Sequence, residues 1–309
     1  MNLELDEAKV DLSIIIVSYN VRDYLLSCLT SIHQHSEDFN FEVILVDNVS
    51  VDGTVEAVRE FFPQVQIIVN TENVGFARAN NQGLRACRGR YVLFLNPDTE
   101  LCAGAVAGLI HAADSRPDAA AFACRMLNSD GTLQYSCFRF PNLMMATFGL
   151  FPIVSNDSVL KGRYAAHYFD RTFEPEHVLG ACFMIRRQIL EELGGMDENF
   201  YMYFEETDLC YRLKLSGHKI VYTPEFSVIH HGQQSTSAVK QKMSIQFYRS
   251  QAYFYRKHYG PFEQMALKAV VVLGMLCRIV KDCTSFLGGC TSWQVLQTQL
   301  GSYTRILLT

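Results

Sequence analysis

Short apolar runs, each closed by polar residues and followed by a stretch of helical period, recur through the first 125 residues. Leu12 to Ser18, Glu42 to Asp47, Gln66 to Asn70, Tyr91 to Leu95 and Ala119 to Cys124 read as strands. Between them Val21 to Gln34, Asp52 to Phe61, Phe76 to Cys87 and Gly104 to Ala113 read as helices, the first with Leu25, Leu29 and Ile32 on one face. Strands that alternate with helices at this spacing imply βαβ units and a mostly parallel central sheet, an α/β fold. In open sheets of this kind ligands bind outside the carboxyl ends of the strands.

The residues at those ends carry oxygen. Ser18-Tyr19-Asn20 follows the first strand, Asp47-Asn48 ends the second and Asn96-Pro97-Asp98 ends the fourth, so all three face one crevice. A carboxylate such as Asp98 there suits a hard divalent cation that shares its ligands with phosphate oxygens. Asp47 suits a base N–H or a ribose hydroxyl. Each string alone is also ordinary turn chemistry; their agreement favours a site. Asn73-Val74-Gly75 opens the Phe76 helix, where Gly75 allows close backbone approach and the helix N-terminus favours an anion. Arg78 in the first turn reaches a phosphate or stays a solvated surface residue. Asn80 and Asn81 are poor formers of a helix interior and need a ligand or a polar neighbour.

The second half is less regular. Arg139 to Tyr168 has weak periodicity and reads as a long loop. Gly180 to Ile185 is a strand, Glu206 to Leu215 a helix, and Ile220 to Tyr222 a short strand ended by Pro224. Lys240 to Tyr259 is a long helix that Gly260-Pro261 breaks. The expected division is a catalytic domain over residues 1–261 and an amphipathic tail over 262–309. The tail carries Phe262, Met265, Leu267, Leu276 and Ile279 beside Lys268, Arg278 and Lys281. It lies on a membrane surface, or packs on its own domain or on a second subunit.

Composition excludes several classes. A net charge of −5 argues against a general nucleic-acid binder. The ten cysteines show no CxxC pair and read as reduced and structural, hence a cytoplasmic chain. The acidic Met1 to Asp11 is no secretory signal. The longest uncharged apolar stretch, Ala269 to Cys277, is too short to span a bilayer.

Taken in order, Ile15-Ile-Val-Ser-Tyr-Asn20, Val46-Asp-Asn-Val-Ser-Val-Asp-Gly-Thr54, Asn73-Val-Gly-Phe-Ala-Arg-Ala-Asn-Asn-Gln-Gly83 and Leu95-Asn-Pro-Asp-Thr-Glu100 resemble the family 2 inverting glycosyltransferases, most of all their rhamnosyltransferase-like branch. The resemblance runs from about residue 12 to 260 and implies the GT-A nucleotide-sugar fold. It implies a nucleoside diphosphate sugar held by Ser18, Tyr19, Asn20, Asp47, Asn73, Gly75, Arg78 and Asn96, with Gly180 and Ala181 backing the sugar. It implies Asp98 and His230 as the ligands of Mg²⁺ or Mn²⁺. Tyr203-Phe-Glu-Glu-Thr-Asp-Leu209 resembles the catalytic acidic motif, which makes Glu206 the base, where the family usually has Asp, and Asp208 the alternative. The family's first metal-loop carboxylate is Asn96 here, and Val49 stands where it usually has a small residue. Gln233 to Ser237 is read as a lid. The resemblance further implies dTDP-rhamnose or a UDP-hexose as donor and a saccharide, or lipid-linked saccharide, as acceptor at the inner membrane face. A rival of another class is a non-catalytic nucleotide-sugar binding module. A nucleotidyltransferase ranks lower, since no Gly- and Lys/Arg-rich phosphate loop follows the first strand.

Overall fold

The computed structural model describes residues 10–35, 39–151, 162–232 and 240–308; the acidic N-terminus and the Gln233–Ser237 segment lie outside these. The described residues fall into two compact units. The first takes in those within Met1–Arg139, Tyr164–Tyr201 and Glu205–Ser235; the second takes in those within Phe140–Arg163, Met202–Phe204 and Thr236–Thr309.

The first unit begins with β1 (Leu12–Ser18), α1 (Arg22–Gln34), β2 (Phe41–Asp47), α2 (Thr54–Phe61), β3 (Gln66–Val69), α3 (Phe76–Leu84), β4 (Tyr91–Leu95), β5 (Thr99–Leu101), α4 (Ala105–Ser115) and β6 (Ala119–Leu127). The short strands β7 (Leu133–Gln134) and β8 (Cys137–Phe138) follow. After α5 (Leu143–Leu150), which belongs to the second unit, come β9 (His177–Val178), β10 (Cys182–Arg186), α6 (Arg187–Glu192), α7 (Glu205–Leu215) and β11 (Lys219–His230).

One sheet runs β3-β2-β1-β4-β10-β6-β11-β5, with β7 on β6. The first four strands are parallel, as the alternation with helices requires. Every residue of β1 and β4 is buried, so both strands read as unbroken apolar runs. Leu12, Ile14 and Ile16 meet Leu25, Leu29 and Ile32 of α1 and Leu93 and Leu95 of β4 in one core. Each such side chain contributes about 1.5–3 kcal/mol by leaving water. Beyond β4 the sheet becomes mixed: β10 runs antiparallel between β4 and β6. Arg186 at its end donates to the carbonyls of Ala113, Arg116 and Ala119, which satisfies the carboxyl end of α4.

Two readings of the sequence are corrected and one gap is filled. Pro224 does not end the last strand. Thr223 pairs with Cys124 and Ser227 with Arg125, so Pro224, Glu225 and Phe226 bulge out and β11 resumes to His230. A bulge is where a strand tolerates proline. Thr99 to Leu101, which the pattern left unassigned, is edge strand β5 on the resumed part of β11. The Arg139 to Tyr168 stretch contains α5, capped by Asn142, whose side chain accepts from the Met145 N–H.

The second unit holds α5, α8 (Lys240–His258), α9 (Pro261–Leu287) and α10 (Trp293–Leu307). Leu150, Ile245, Met275 and Ile306 form its core. A Cβ on Gly274 would come within 2.9 Å of Leu150, so α9 and α5 pack closely there.

Two left-handed positions in the first unit make opposite predictions. Val49 has φ 63° and is half exposed, a conformation that a β-branched residue adopts at a cost of about 1–2 kcal/mol. Gly75 has φ 86°, and a Cβ there would lie 2.5 Å from the Tyr201 carbonyl oxygen. In urea unfolding, Val49→Gly is expected to gain about 1 kcal/mol, and Gly75→Ala to lose about 2–4 kcal/mol.

Candidate active site

Parallel pairing places Ser18 of β1 beside Asp47 of β2. Both are fully buried. Asp47 Oδ1 accepts from the Ser50 N–H at 2.9 Å, while Asp47 Oδ2 and Ser18 Oγ have no protein partner. Buried polar atoms are almost always paired, so two orphans side by side at adjacent strand ends make this a candidate ligand site. The loops around them are cross-linked by hydrogen bonds. Asn20, at φ 53°, donates its N–H to Ser50 Oγ and accepts the Val51 N–H. Asp52 accepts from Arg22 and Thr54 just ahead of α2, whose N-cap is Gly53. Tyr19 is exposed beside this edge.

The start of α3 is held from within the chain. Asn73 Oδ1 accepts the Gly75 N–H at 3.1 Å, and the Tyr201 carbonyl accepts the Phe76 N–H at 2.7 Å. The close approach that Gly75 permits is therefore to Tyr201, and one orphan donor of the helix terminus is already engaged. Asn80 and Asn81 are compensated by protein. Asn80 donates to the Phe76 carbonyl, and Asn81 exchanges hydrogen bonds with the Met196 backbone at 2.7 and 2.9 Å. Arg78 is exposed and ion-paired to Glu198 at 3.3 Å.

The Asn96-Pro97-Asp98 loop meets the end of β11. His230 pairs with Thr99 in the sheet, which sets its ring over the loop. Its Nε2 lies 3.4 Å from Asp98 Oδ1 and 3.3 Å from Asn96 Nδ2. Gln134 fixes the tautomer. Its Nε2 donates to Asn128 Oδ1 and to the His230 carbonyl, which leaves its Oε1 to accept from His230 Nδ1 at 2.6 Å. Nδ1 therefore carries the ring proton and Nε2 turns its lone pair toward Asp98. A lone pair facing a carboxylate oxygen at that distance repels it unless a cation or a second ring proton lies between them. The pair fits a divalent cation on these grounds. Among the described residues no three His, Cys, Asp or Glu side chains gather in a way that holds a metal on their own.

The third part comes through β10. The Asn96 N–H donates to the Ala181 carbonyl at 2.9 Å, so Gly180-Ala181 lies against the loop. A Cβ on Gly180 would touch Glu206 at 3.4 Å. Glu205 and Glu206 open α7, each with one buried carboxylate oxygen that has no partner. Burial pushes the Glu206 carboxyl up, against the opposing pull of the backbone N–H groups of Thr207 and Gly180. Burial and the Glu206 charge push Glu205 well up. Tyr203 and Phe204, just before, both take left-handed φ values of 68° and 70°. Asp208 is fully buried, and its Oδ2 accepts from Arg212 at 2.7 Å. Arg212 also holds the carbonyls of Leu193 and Gly195.

Gln134 and Tyr201 were missed from the sequence. For Gln134 the only signal was the Asn128-Ser-Asp-Gly131 turn, which returns β7 onto β6 opposite Met126. Nothing local marks Tyr201, because its contact is made by a carbonyl.

The model of the glycosyl transferase family 2 matches residues 13–194. An N-acetylglucosaminyl-diphospho-decaprenol L-rhamnosyltransferase of Mycobacterium tuberculosis is 28% identical over 241 residues, 73% of this chain and 77% of that one. The rhamnosyltransferase WbbL of Escherichia coli is 25% identical over 226 residues, 71% of this chain and 82% of that one. Among solved structures, a mannosyltransferase from Pyrobaculum calidifontis in complex with GDP-Man and Mn²⁺ has a TM-score of 0.52 at 16% identity, over 98% of this chain and 90% of that one. GalNAc-T7 with UDP, GalNAc and Mn²⁺ has a TM-score of 0.56 at 17% identity, over 81% of this chain and 50% of that one. With strand ends, acidic helix start and family match in agreement, the chain belongs to the family 2 glycosyltransferases and has their GT-A fold.

Proposed function

We propose that this glycosyltransferase moves rhamnose from dTDP-rhamnose to a hydroxyl of a lipid-linked saccharide, in the synthesis of a cell-surface glycan. Two rhamnosyltransferases among its relatives support the sugar, and the diphospho-decaprenol in one relative's name supports the acceptor class. The observation that carries the site is the set of buried oxygens without protein partners: Ser18 Oγ, Asp47 Oδ2 and Glu206 Oε2. Leaving such atoms unpaired costs about 1–3 kcal/mol each, a cost that a bound donor and acceptor remove.

In this reading Ser18 and Asp47 hold the base and ribose, with Tyr19 and Asn20 closing over them. Asp98 and His230 are the protein ligands of Mg²⁺ or Mn²⁺, positioned by Asn96 and Gln134. When bound, the cation neutralises charge on the leaving diphosphate. Gly180 leaves room beside Glu206 for the sugar. Glu206 takes the proton of the acceptor hydroxyl as that oxygen bonds to the anomeric carbon. The bond to the diphosphate breaks with its electron pair, and configuration inverts, as the family resemblance implies. A raised carboxyl pKa makes Glu206 a stronger base than an exposed glutamate. Asp208 keeps its charge engaged with Arg212 and positions the helix.

The test is release of nucleoside diphosphate from dTDP- and UDP-sugars with acceptor lipid extract. Glu206→Gln is expected to lower kcat by about 10²–10⁴-fold with donor binding retained, and Asp98→Ala to abolish the stimulation by Mn²⁺. Full activity in Glu206→Gln, folded by circular dichroism, would reject the base. Donor binding without turnover in the unmodified protein would favour the binding module.

Activity should also rise with pH through a value above the ordinary glutamate range, because only ionised Glu206 accepts a proton. Stability should move the other way. A folded-state pKa raised above the unfolded one gives stability that is present below about pH 4.5 and is lost as pH rises through the folded value. Glu205→Gln is therefore expected to stabilise the protein by about 1–3 kcal/mol at pH 8 and by nothing near pH 4, as read by denaturant melts at both pH values.

A further inference from the structure

The second unit carries a charge opposite to the rest of the chain. Residues 240–308 contain nine Lys and Arg against two Asp and Glu, a net charge of +7 in a chain whose total is −5. Arg249 and Arg256 of α8 and Arg305 of α10 converge on one open cavity of about 330 Å³, which Ala252 and Leu308 complete. None of the three has a carboxylate within ion-pair distance among the described residues; the guanidinium of Arg256 lies over the Tyr253 ring at 5.3 Å. A second cavity of about 260 Å³ shares Ala252 and Arg256 and runs between α8 and α9 along Tyr248, Tyr255, Leu267 and Val271. The two together have a cationic mouth and an apolar floor.

The outer face of α9 adds a second, independent observation. At about 100° per residue, Phe262, Met265, Leu273, Leu276, Val280 and Leu287 fall within about 80° of arc, and all six are exposed. No charged residue interrupts that arc. Val272, at its margin, lines the second cavity, so stripe and cavity adjoin. Buried Leu267, Gly274 and Met275 occupy the opposite side of the helix. An exposed apolar stripe of this length marks a contact surface.

We propose that this face of α8, α9 and α10 docks on a bilayer that displays phosphate-bearing anionic lipids. Lipid phosphates sit on Arg249, Arg256 and Arg305, and the α9 stripe lies in the boundary between headgroups and acyl chains. Charge decides the occupant: a second copy would bring the same basic surface onto itself. No helix among the described residues is long and apolar enough to cross a membrane, so the helices lie on the surface. The proposal deepens the lipid-linked acceptor reading and rests on it only for its purpose.

The test is co-sedimentation of the full chain, without donor or acceptor, with phosphatidylcholine vesicles and with vesicles of two parts phosphatidylcholine to one part phosphatidylglycerol. Binding is expected only to the anionic vesicles. The triple variant R249Q/R256Q/R305Q should weaken it by roughly a hundredfold, at about fivefold per basic residue. The double variant L273Q/L276Q should weaken it while retaining the anionic preference. Diphosphate release to a water-soluble acceptor should be unchanged in the triple variant, which separates this proposal from the transferase reading. Equal binding to neutral vesicles, or undiminished binding by the triple variant, would overturn it. So would displacement by millimolar inorganic phosphate, which would mean a site for free phosphate. A solution dimer that L273Q/L276Q dissociates, without vesicle binding, would give the face to a second copy.

Discussion

The antiparallel pairing of β10 with β4 decides what this sheet can do. β1, β2 and β4 are parallel, and alone they would deliver only Ser18, Asp47 and the Asn96-Pro97-Asp98 loop to their carboxyl ends. Because β10 runs the other way, its beginning lies beside the end of β4, with Cys182 opposite Leu95. The residues just before it, Gly180 and Ala181, are thereby held against the Asn96 backbone. Glu206 lies at the same place, against Gly180, where a Cβ would sit in van der Waals contact with its side chain. One reversed strand therefore joins the strand-end oxygens of Ser18, Asp47 and Asp98 to an acidic helix that starts more than a hundred residues after Asp98.

The bulge in β11 does comparable work on the other side. Without the three residues looped out at Pro224, β11 would stay in register with β6 and place a different residue opposite Thr99. A one-residue change of register turns every following side chain to the other face. The bulge also seats Phe226 on Gly108 of α4, where a Cβ would come within 2.2 Å of the ring. That packing holds the offset. Gln134, brought back by the β6–β7 hairpin, then sets the ring proton of His230. The loop, strand and hairpin act together because no single one of them fixes both the position and the tautomer of the imidazole.

Most of the first 125 residues were legible because β1 and β4 and most of β2 and β6 are buried on both faces and the helices between them carry one apolar face, so period and length suffice to tell them apart. Asp47, Asn96 and Asp98 were legible for the same reason, since a polar residue that closes a buried strand has one place to go. The contacts that shape the site were not. Gly75 suggested room for a ligand, but the atom that approaches it is the Tyr201 carbonyl. Asn80 and Asn81 demanded partners, and the sequence could not say that Phe76 and Met196 supply them. β5 and the far half of β11 escaped because they define each other: neither has a periodicity of its own, and only their pairing makes them strands. Val49, which pattern alone left unexplained, stands in the left-handed region where a small residue is at ease.

The acidic motif shows why adjacent carboxylates take different parts. Asp208 faces inward one turn after Glu205, and its charge is met by Arg212, which itself ties down the Leu193–Gly195 turn. Moving a proton onto Asp208 would cost that ion pair and loosen the turn, which is why the proposed mechanism gives it the part of a fixed support. Glu205 and Glu206 have no cation in such a role, and each keeps a buried oxygen unmatched. Two like charges at that depth are tolerated only in part, and the helix N-terminus offsets some of the cost. Glu205 is the more deeply buried of the two, and burial together with the charge on Glu206 pushes its carboxyl well up. Glu206 is half-buried and bordered by Gly180, and backbone N–H groups favour its ionised form. The division of labour proposed for the three follows from which carboxylate has a cation, which is the more deeply buried, and which is only half-buried with backbone donors around it.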